Sequence, residues 1–369
     1  MSLERSARVS TLELFFDLVF VFTITQLTGV LAAGEDLVST IQVVVLLLLI
    51  WWMYDGYAWL TNAIETDRAR YRLLLLGGMA GFLVIALAVP GAYRDSGLVF
   101  GLGYLTVIVL HASMYVKGTS VSEVQAILRI VPFNLVAAAL VVIGGAVGGD
   151  VRWILWAATG ALLWVTPALT TVEGFVVEAS HFVERHALVV IVALGESVVV
   201  IGVGAAGEAV DAGLVLVALL ALALSASLWW SYFSDESRVE RAFRETPAED
   251  RAQRGLLAFG YWHYGLVLGI VAVAAGLKKA VGDPYEPLGW WIAVELATGA
   301  MLFLVCDVGF RRALGIPGGG TRLLAGAAAL ATIAIGGELS GAAQIGVLAA
   351  IVAGALATEG SRLTDQQSK

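Results

Sequence analysis

Residues 37–61 read LVSTIQVVVLLLLIWWMYDGYAWLT, a run of apolar and uncharged side chains with a single ionised group, Asp55. About 20 such residues form a helix that crosses the roughly 30 Å of hydrocarbon in a bilayer. Similar runs recur along all 369 residues, of which 59% are hydrophobic and 14% charged, whereas soluble domains carry about 25% charged residues. The composition excludes a disordered chain, a nucleic-acid-binding protein and a soluble enzyme. It predicts an all-α polytopic membrane protein.

Twelve apolar stretches are predicted as transmembrane helices of one integral membrane domain, residues 1–369. The predicted helices are 11–33, 37–61, 73–92, 97–117, 127–148, 152–172, 186–206, 212–234, 255–277, 287–308, 321–338 and 341–358. The last two are separated by Gly336, Gly337, Glu338 and Gly341. One long broken helix is therefore the alternative to two final spans.

The distribution of basic residues orients this topology, because cytoplasmic loops carry an excess of Lys and Arg. With the N-terminus in the cytoplasm, the 22 Lys and Arg residues all lie on the cytoplasmic side except Arg94, Arg152, Lys278 and Lys279. We therefore expect both termini in the cytoplasm. The longest loop, 235–254, is too short to hold a folded soluble domain, so the function is expected in or across the bilayer.

A weak internal similarity suggests a duplication. Trp51-Trp52-Met53-Tyr54-Asp55 in the second helix resembles Trp229-Trp230-Ser231-Tyr232 in the eighth, where Asp235 follows three residues later. Both segments precede an Arg-rich loop, which predicts two six-helix repeats of the same orientation, 1–172 and 173–369. The alternative is an ordinary aromatic belt, since Trp and Tyr are enriched near the ends of membrane helices.

Two carboxylates share one face of the first helix. Glu13 and Asp17 are four residues apart, a spacing that makes them neighbours on a helix surface. An ionisable side chain inside a span costs roughly 2.5–3.5 kcal/mol on insertion scales and indicates a functional site by default. Asp55 reaches a similar depth in the second helix and joins them as a pathway candidate. The alternative is that Glu13 and Asp17 bond to Arg or Tyr of neighbouring helices and so fasten these helices together. We call such a bond a structural staple.

A second cluster of candidates lies at the seventh helix, in the run EASHFVERHALVVIVALGES at residues 178–197. On one continuous helix, Glu178, His181, Arg185 and Glu196 would lie along one face, which we call the stripe of this helix. Glu196 would lie near the bilayer midplane. A midplane carboxylate with a histidine on its stripe suits a proton relay, because histidine titrates near neutral pH. The alternative is a staple between Arg185 and a carboxylate.

The same run supplies two more candidates, Glu184 and His186. His181, Glu184 and His186 do not share one helical face, so we expect no metal site, and the sequence points to no cofactor. Secondary candidates for the pathway are His111, His263 and Asp307, which the topology places toward the cytoplasmic half with Asp17 and Asp55, around one inward-facing cavity. A hydrogen-bonded packing role is the alternative for the lone histidines.

These two clusters carry a resemblance to a known family. The sequence resembles the bacterial low temperature requirement A protein family in Glu13-Leu-Phe-Phe-Asp17-Leu-Val-Phe-Val, His181-Phe-Val-Glu184-Arg185-His186 and Leu194-Gly195-Glu196. The resemblance covers nearly the whole chain and implies a multi-span protein of the bacterial cytoplasmic (inner) membrane, tied by the family's name to growth in the cold. It supplies no substrate.

Three functions remain open from the sequence. The leading hypothesis is a transporter or channel for a small solute or cation, coupled to protons through the intramembrane carboxylates. The second is a membrane-embedded enzyme for a lipid or isoprenoid, with His181, Glu184 and His186 as its acid–base set; the sequence favours a non-enzyme. The third is a structural or sensory protein that adapts the membrane to cold.

The expected partners are membrane lipids and an unidentified small solute or ion, with no nucleic acid; a homo-oligomer is left open. A single kind of contact distinguishes the structural interpretation of the two clusters from the transport interpretation. A direct bond from Glu13 or Asp17 to Arg185 favours a structural staple, and a water-filled cavity between the two clusters favours transport.

Overall fold

The computed structural model describes residues 9–64, 68–207 and 209–367, which fold into helices joined by short connections, with no strand among them. The helices are α1 (Thr11–Gly34), α2 (Leu37–Ala63), α3 (Ala69–Ala88), α4 (Gly97–Gly118), α5 (Val121–Val147), α6 (Gly149–Thr170), α7 (Ala179–Gly204), α8 (Ala212–Phe233), α9 (Glu236–Glu245), α10 (Ala248–Gly255), α11 (His263–Gly282), α12 (Trp290–Ala313), α13 (Gly320–Glu338) and α14 (Gly341–Gln367). A π-helical stretch, Leu256–Trp262, joins α10 to α11.

In this described part of the chain, twelve helical stretches are long and apolar enough to cross a membrane. The predicted all-α membrane fold is confirmed. The last two spans are separate helices, α13 and α14, so the alternative of one broken helix is wrong.

Helix starts differ most from the predictions where polar residues cap them. The α7 helix begins at Ala179 rather than at 186, because the Glu178 carboxylate accepts the backbone N–H groups of Ser180 and His181. The α5 helix begins at Val121 rather than at 127, with Ser120 and Glu123 forming a capping box. The charged segment predicted as a loop, 235–254, is largely helical in α9 and α10.

The chain divides into two compact units. Unit 1 holds the described residues of 9–30, 41–189 and 240–260, and unit 2 holds those of 31–40, 190–239 and 261–367. The division passes through α1 and α7 and therefore differs from the halves 1–172 and 173–369. The repeat stays a prediction.

Aromatic side chains form much of the core of unit 1. The Phe16 ring stacks on Tyr57 with centroids 5.1 Å apart, and the Phe20 and Tyr54 centroids are 4.0 Å apart. The α3 helix packs against α4 at Gly81, where an added Cβ would lie 2.7 Å from a methyl carbon of Val107. The ring contacts of Phe16 and Phe20 hold α1 against α2, the two helices that carry Glu13, Asp17 and Asp55.

Unit 2 is built on α12, which packs against α11 and α13. The α11 and α12 backbones approach so closely that a Cβ at Gly269 would lie 2.8 Å from the Gly299 carbonyl oxygen. Small residues at such crossings are typical of membrane helix packing. The Gln344 side chain of α14 donates to the Ala293 carbonyl of α12 at 2.8 Å, a buried polar link between the two helices.

Candidate functional site

The α1 carboxylate Asp17 is fully buried in unit 1 and ion-paired to Arg185 of α7. One guanidinium nitrogen, Nη1, lies 2.8 Å from Asp17 Oδ2 and 2.9 Å from the Glu13 carbonyl oxygen. The Tyr54 hydroxyl of α2 donates to the other Asp17 oxygen at 2.7 Å. Asp17 thus links α1, α2 and α7. This is the direct contact that favours a structural staple.

The other α1 carboxylate, Glu13, bonds to a histidine whose protonation its neighbours fix. The Asn62 amide oxygen accepts the Glu178 N–H at 2.9 Å, so the amide nitrogen faces His181 and donates to its Nδ1 at 3.1 Å. Nδ1 is therefore an acceptor, and Nε2 carries the hydrogen that points to Glu13 Oε1 at 3.0 Å. Neutral His181 satisfies both contacts.

The histidine five residues later is bonded differently. His186 Nδ1 lies 2.8 Å from the Phe182 carbonyl oxygen, which can only accept, so Nδ1 carries a hydrogen. His186 Nε2 lies 3.0 Å from Asp55 Oδ1. A bare ring nitrogen facing a bare carboxylate oxygen would repel, so a proton lies between them, on one or the other. Asp55 and His186 form a dyad that holds one shared proton.

A cavity of about 70 Å³ opens beside this dyad within unit 1, and Asp55 is part of its wall. Asp55 Oδ2 accepts a hydrogen bond from the indole of Trp59 at 3.2 Å. His111 also lines the cavity and contacts the Gly56 carbonyl oxygen through Nε2 at 2.9 Å. The rest of the wall is mostly aromatic and aliphatic: Trp52, Met53, Gly56, Trp59, Tyr115, Ile127, Ile130, Asn134, Pro167, Val172, Phe175 and Leu256.

Two candidates at the seventh helix serve backbone groups in unit 1. Glu178 accepts the first N–H groups of α7 and is its cap rather than a member of its stripe. The Glu184 carboxylate accepts the Val9 N–H at 3.2 Å. A carboxylate at a helix N-terminus is favourable because free N–H groups and the helix dipole attract it.

Three candidates lie in unit 2. Glu196 is buried there, although its predicted stripe partners belong to unit 1. His263 Nε2 lies 2.8 Å from the Tyr232 hydroxyl. Asp307, fully buried, is the centre of a network that also includes Arg311 and Arg322.

The network around Asp307 was not foreseen from the sequence. Arg311 bonds to Asp307 through Nε at 3.2 Å and to Asp235 through Nη1 at 2.6 Å. Arg322 pairs with Asp307 and reaches Glu359 through Nε at 2.9 Å. The spacing of Asp307 and Arg311, four residues on one helix, was the available signal. Arg322 lies on a different helix, and nothing local in the sequence indicates its partner.

Comparison with known proteins places the chain among bacterial membrane proteins. The family model described as "Bacterial low temperature requirement A protein (LtrA)" matches residues 8–357. An uncharacterized protein of Rhizobium meliloti (strain 1021) is 27% identical over 314 residues, which cover 81% of this chain and 76% of that protein.

Proposed function

The chain belongs to the bacterial low temperature requirement A protein family, and for this member we propose proton-linked transport of a small solute across the bacterial cytoplasmic membrane. The positions of Lys and Arg support an orientation with both termini in the cytoplasm. The solute site is the cavity of unit 1, and the proton site is the dyad of Asp55 and His186.

One observation carries this proposal: a carboxylate on the cavity wall, Asp55, lies 3.0 Å from Nε2 of the buried His186, close enough to share a proton with it. A solute bound beside Asp55 changes the electrostatic environment of that proton. Binding linkage is reciprocal, so a solute that shifts the proton equilibrium is itself bound with a pH-dependent affinity. Proton-linked transport requires this coupling.

The salt bridge of Asp17 and Arg185 has a structural role in this proposal. A guanidinium stays charged at physiological pH, so the pair cannot exchange protons through its arginine. It joins helices that also carry the dyad, since Tyr54 and Asp55 are adjacent on α2, and Arg185 and His186 on α7. The staple therefore positions the proton site.

The enzyme hypothesis receives less support from the same contacts. Its acid–base set was His181, Glu184 and His186, and the three side chains bond to different groups. His181 bonds to Glu13 and Asn62, Glu184 accepts the Val9 N–H, and His186 bonds to Asp55. An acid–base set acts on one substrate position and needs its members to converge on it. Of the groups to which these side chains bond, only Asp55 lines the cavity.

Proton movement in proteoliposomes tests the proposal. Vesicles containing the full chain and a pH-sensitive dye receive a panel of small organic cations, neutral solutes and organic acids. At least one compound is expected to move protons with the wild type, and Asp55→Asn is expected to abolish that flux. Asp95→Asn, a matched change at an exposed carboxylate, is expected to retain it. Equal flux in both variants contradicts the proposal.

A further inference from the structure

We infer that the unit 1 cavity binds a small organic ammonium cation and exchanges it for the proton of the Asp55–His186 dyad. This inference rests on the proposed function and names its substrate class and direction of coupling. It follows from the composition of the cavity wall, the charge states open to the dyad, and the size of the space.

The cavity wall combines aromatic rings with one carboxylate. Trp52, Trp59, Tyr115 and Phe175 line it together with Asp55, and the described lining residues include no Lys or Arg. The other basic side chain on the wall, His111, bonds to the Gly56 carbonyl oxygen through Nε2. Aromatic rings attract cations through their quadrupole, and cages of such rings are typical of sites for alkylated ammonium groups. The wall is therefore selective for positive charge with an apolar surface.

The dyad supplies the change in charge that such a ligand requires. With its shared proton, the pair of Asp55 and His186 is neutral overall. Without that proton it carries one negative charge, because His186 keeps the hydrogen on Nδ1 that Phe182 accepts. A cation in the cavity stabilises the deprotonated dyad, and a proton on the dyad disfavours the cation. One cation therefore replaces one proton, which is the basis of antiport.

An inorganic cation fits this cavity poorly. Hard metal cations are held by about six or more oxygen ligands, whereas most of the lining side chains here are aromatic or aliphatic. The acid and amide side chains of the lining are Asp55 and Asn134, and the Asn134 oxygen already accepts the Trp52 indole N–H at 3.1 Å. An alkylammonium ion needs no such oxygen shell.

The size of the space sets the size of the ligand. A water needs roughly 10–15 Å³ on the same measure of volume, so a cavity of about 70 Å³ holds a compact ligand of about five non-hydrogen atoms. Tetramethylammonium has this size. Its tetrahedral neutral counterpart is tert-butyl alcohol, which makes the two compounds a test of charge at constant shape.

Calorimetric titration of the purified full chain tests the inference. Tetramethylammonium is expected to bind with the release of about one proton to the buffer, measured from the heats in buffers of different ionisation enthalpy. tert-Butyl alcohol and potassium chloride are expected to bind about tenfold more weakly or not at all. Asp55→Asn is expected to weaken tetramethylammonium binding by about tenfold or more, while Asp95→Asn leaves it unchanged.

A second variant keeps the test decisive if Asp55→Asn does not fold. Ile130→Phe fills the cavity and leaves both members of the dyad in place, so it is expected to lower tetramethylammonium affinity by about tenfold as well. Size-exclusion chromatography checks the folding of each variant. The inference is overturned by any of three results. These are equal affinity for tert-butyl alcohol and tetramethylammonium, tetramethylammonium binding without proton release, and unchanged tetramethylammonium binding in Ile130→Phe.

The outcomes separate this inference from the proposed function. If tetramethylammonium binds with proton release and no compound of the panel drives proton flux in proteoliposomes, the cation site stands and transport is contradicted. If neutral solutes drive proton flux that depends on Asp55 while tetramethylammonium does not bind, transport stands and the cation site is contradicted.

Discussion

Unit 1 and unit 2 each bury ion-paired carboxylates within membrane-spanning helices, and the bases in these ion pairs differ. In unit 1, two histidines and one arginine pair with Glu13, Asp17 and Asp55. In unit 2, two arginines surround Asp307. Arginine stays protonated at all physiological pH values, whereas histidine changes charge near neutrality. The Asp307 network of unit 2 is therefore permanently charged and structural, and the proposed proton exchange is assigned to the histidine-paired carboxylates of unit 1.

The largest expected effect is on the arginine network of unit 2. Asp307→Asn leaves Arg311 and Arg322 buried with one fewer negative charge, and removing one partner of a buried ion pair costs about 3–5 kcal/mol. We expect a loss of this size in the free energy of unfolding, measured in detergent by circular dichroism. Asp283→Asn, at an exposed carboxylate of the same unit, is the control and should change stability little.

The second prediction concerns the staple of unit 1. Arg185→Gln leaves Asp17 buried without its cation, and we expect a loss of about 3 kcal/mol or more in the free energy of unfolding. Adding Asp17→Asn replaces the ion pair with two neutral amides and should restore most of that loss, because no buried charge remains. A double variant as unstable as the single one would show that the pair does more than fasten helices.

The two histidines of unit 1 give the third prediction. His186→Gln removes the shared proton of the dyad and is expected to abolish solute-linked proton flux in proteoliposomes. His181→Gln removes a hydrogen bond to Glu13 and is expected to cost about 1 kcal/mol of stability while proton flux persists. The two variants make the same change on one helix, so each serves as the other's control. Loss of flux in both would place the proton pathway at Glu13 as well.

The smallest predicted effect lies outside the membrane spans, at Asp36 before α2. Its carboxylate accepts the Ser39 N–H at 2.7 Å, and this hydrogen bond lowers the pKa of Asp36 below its ordinary value. A carboxylate with a lowered pKa stabilises the fold above its ordinary pKa, and that contribution is lost as the pH falls through the lowered value. Asp36→Ala should therefore lower the melting temperature slightly at neutral pH and not at strongly acidic pH.

The sequence predicted the spans well, because each depends on about 20 consecutive apolar residues. It also identified ionisable groups within the spans that the structure buries, such as Asp17 and Asp307, since a charge in an apolar run stands out. It did not identify the buried Arg311 and Arg322, which follow or precede such runs. It did not assign the partners of these ionisable groups. Asp17 could have paired with any basic group on a neighbouring helix, and the periodicity of one helix does not reveal which helix lies beside it. Asn62, which fixes the tautomer of His181, carries no local signal at all.

Histidine 15N NMR spectroscopy of the full chain tests the central claim most directly, because the chain has four histidines and single His→Gln variants assign them. Spectra of the wild type and of Asp55→Asn would be recorded under the same conditions. We expect His181 to carry its hydrogen on Nε2, where Glu13 accepts it. The Nε2 signal of His186 should report a proton shared with Asp55, and Asp55→Asn should change that signal, because an amide replaces the carboxylate. A His186 Nε2 signal that shows no shared proton and is unaffected by Asp55→Asn would contradict the account.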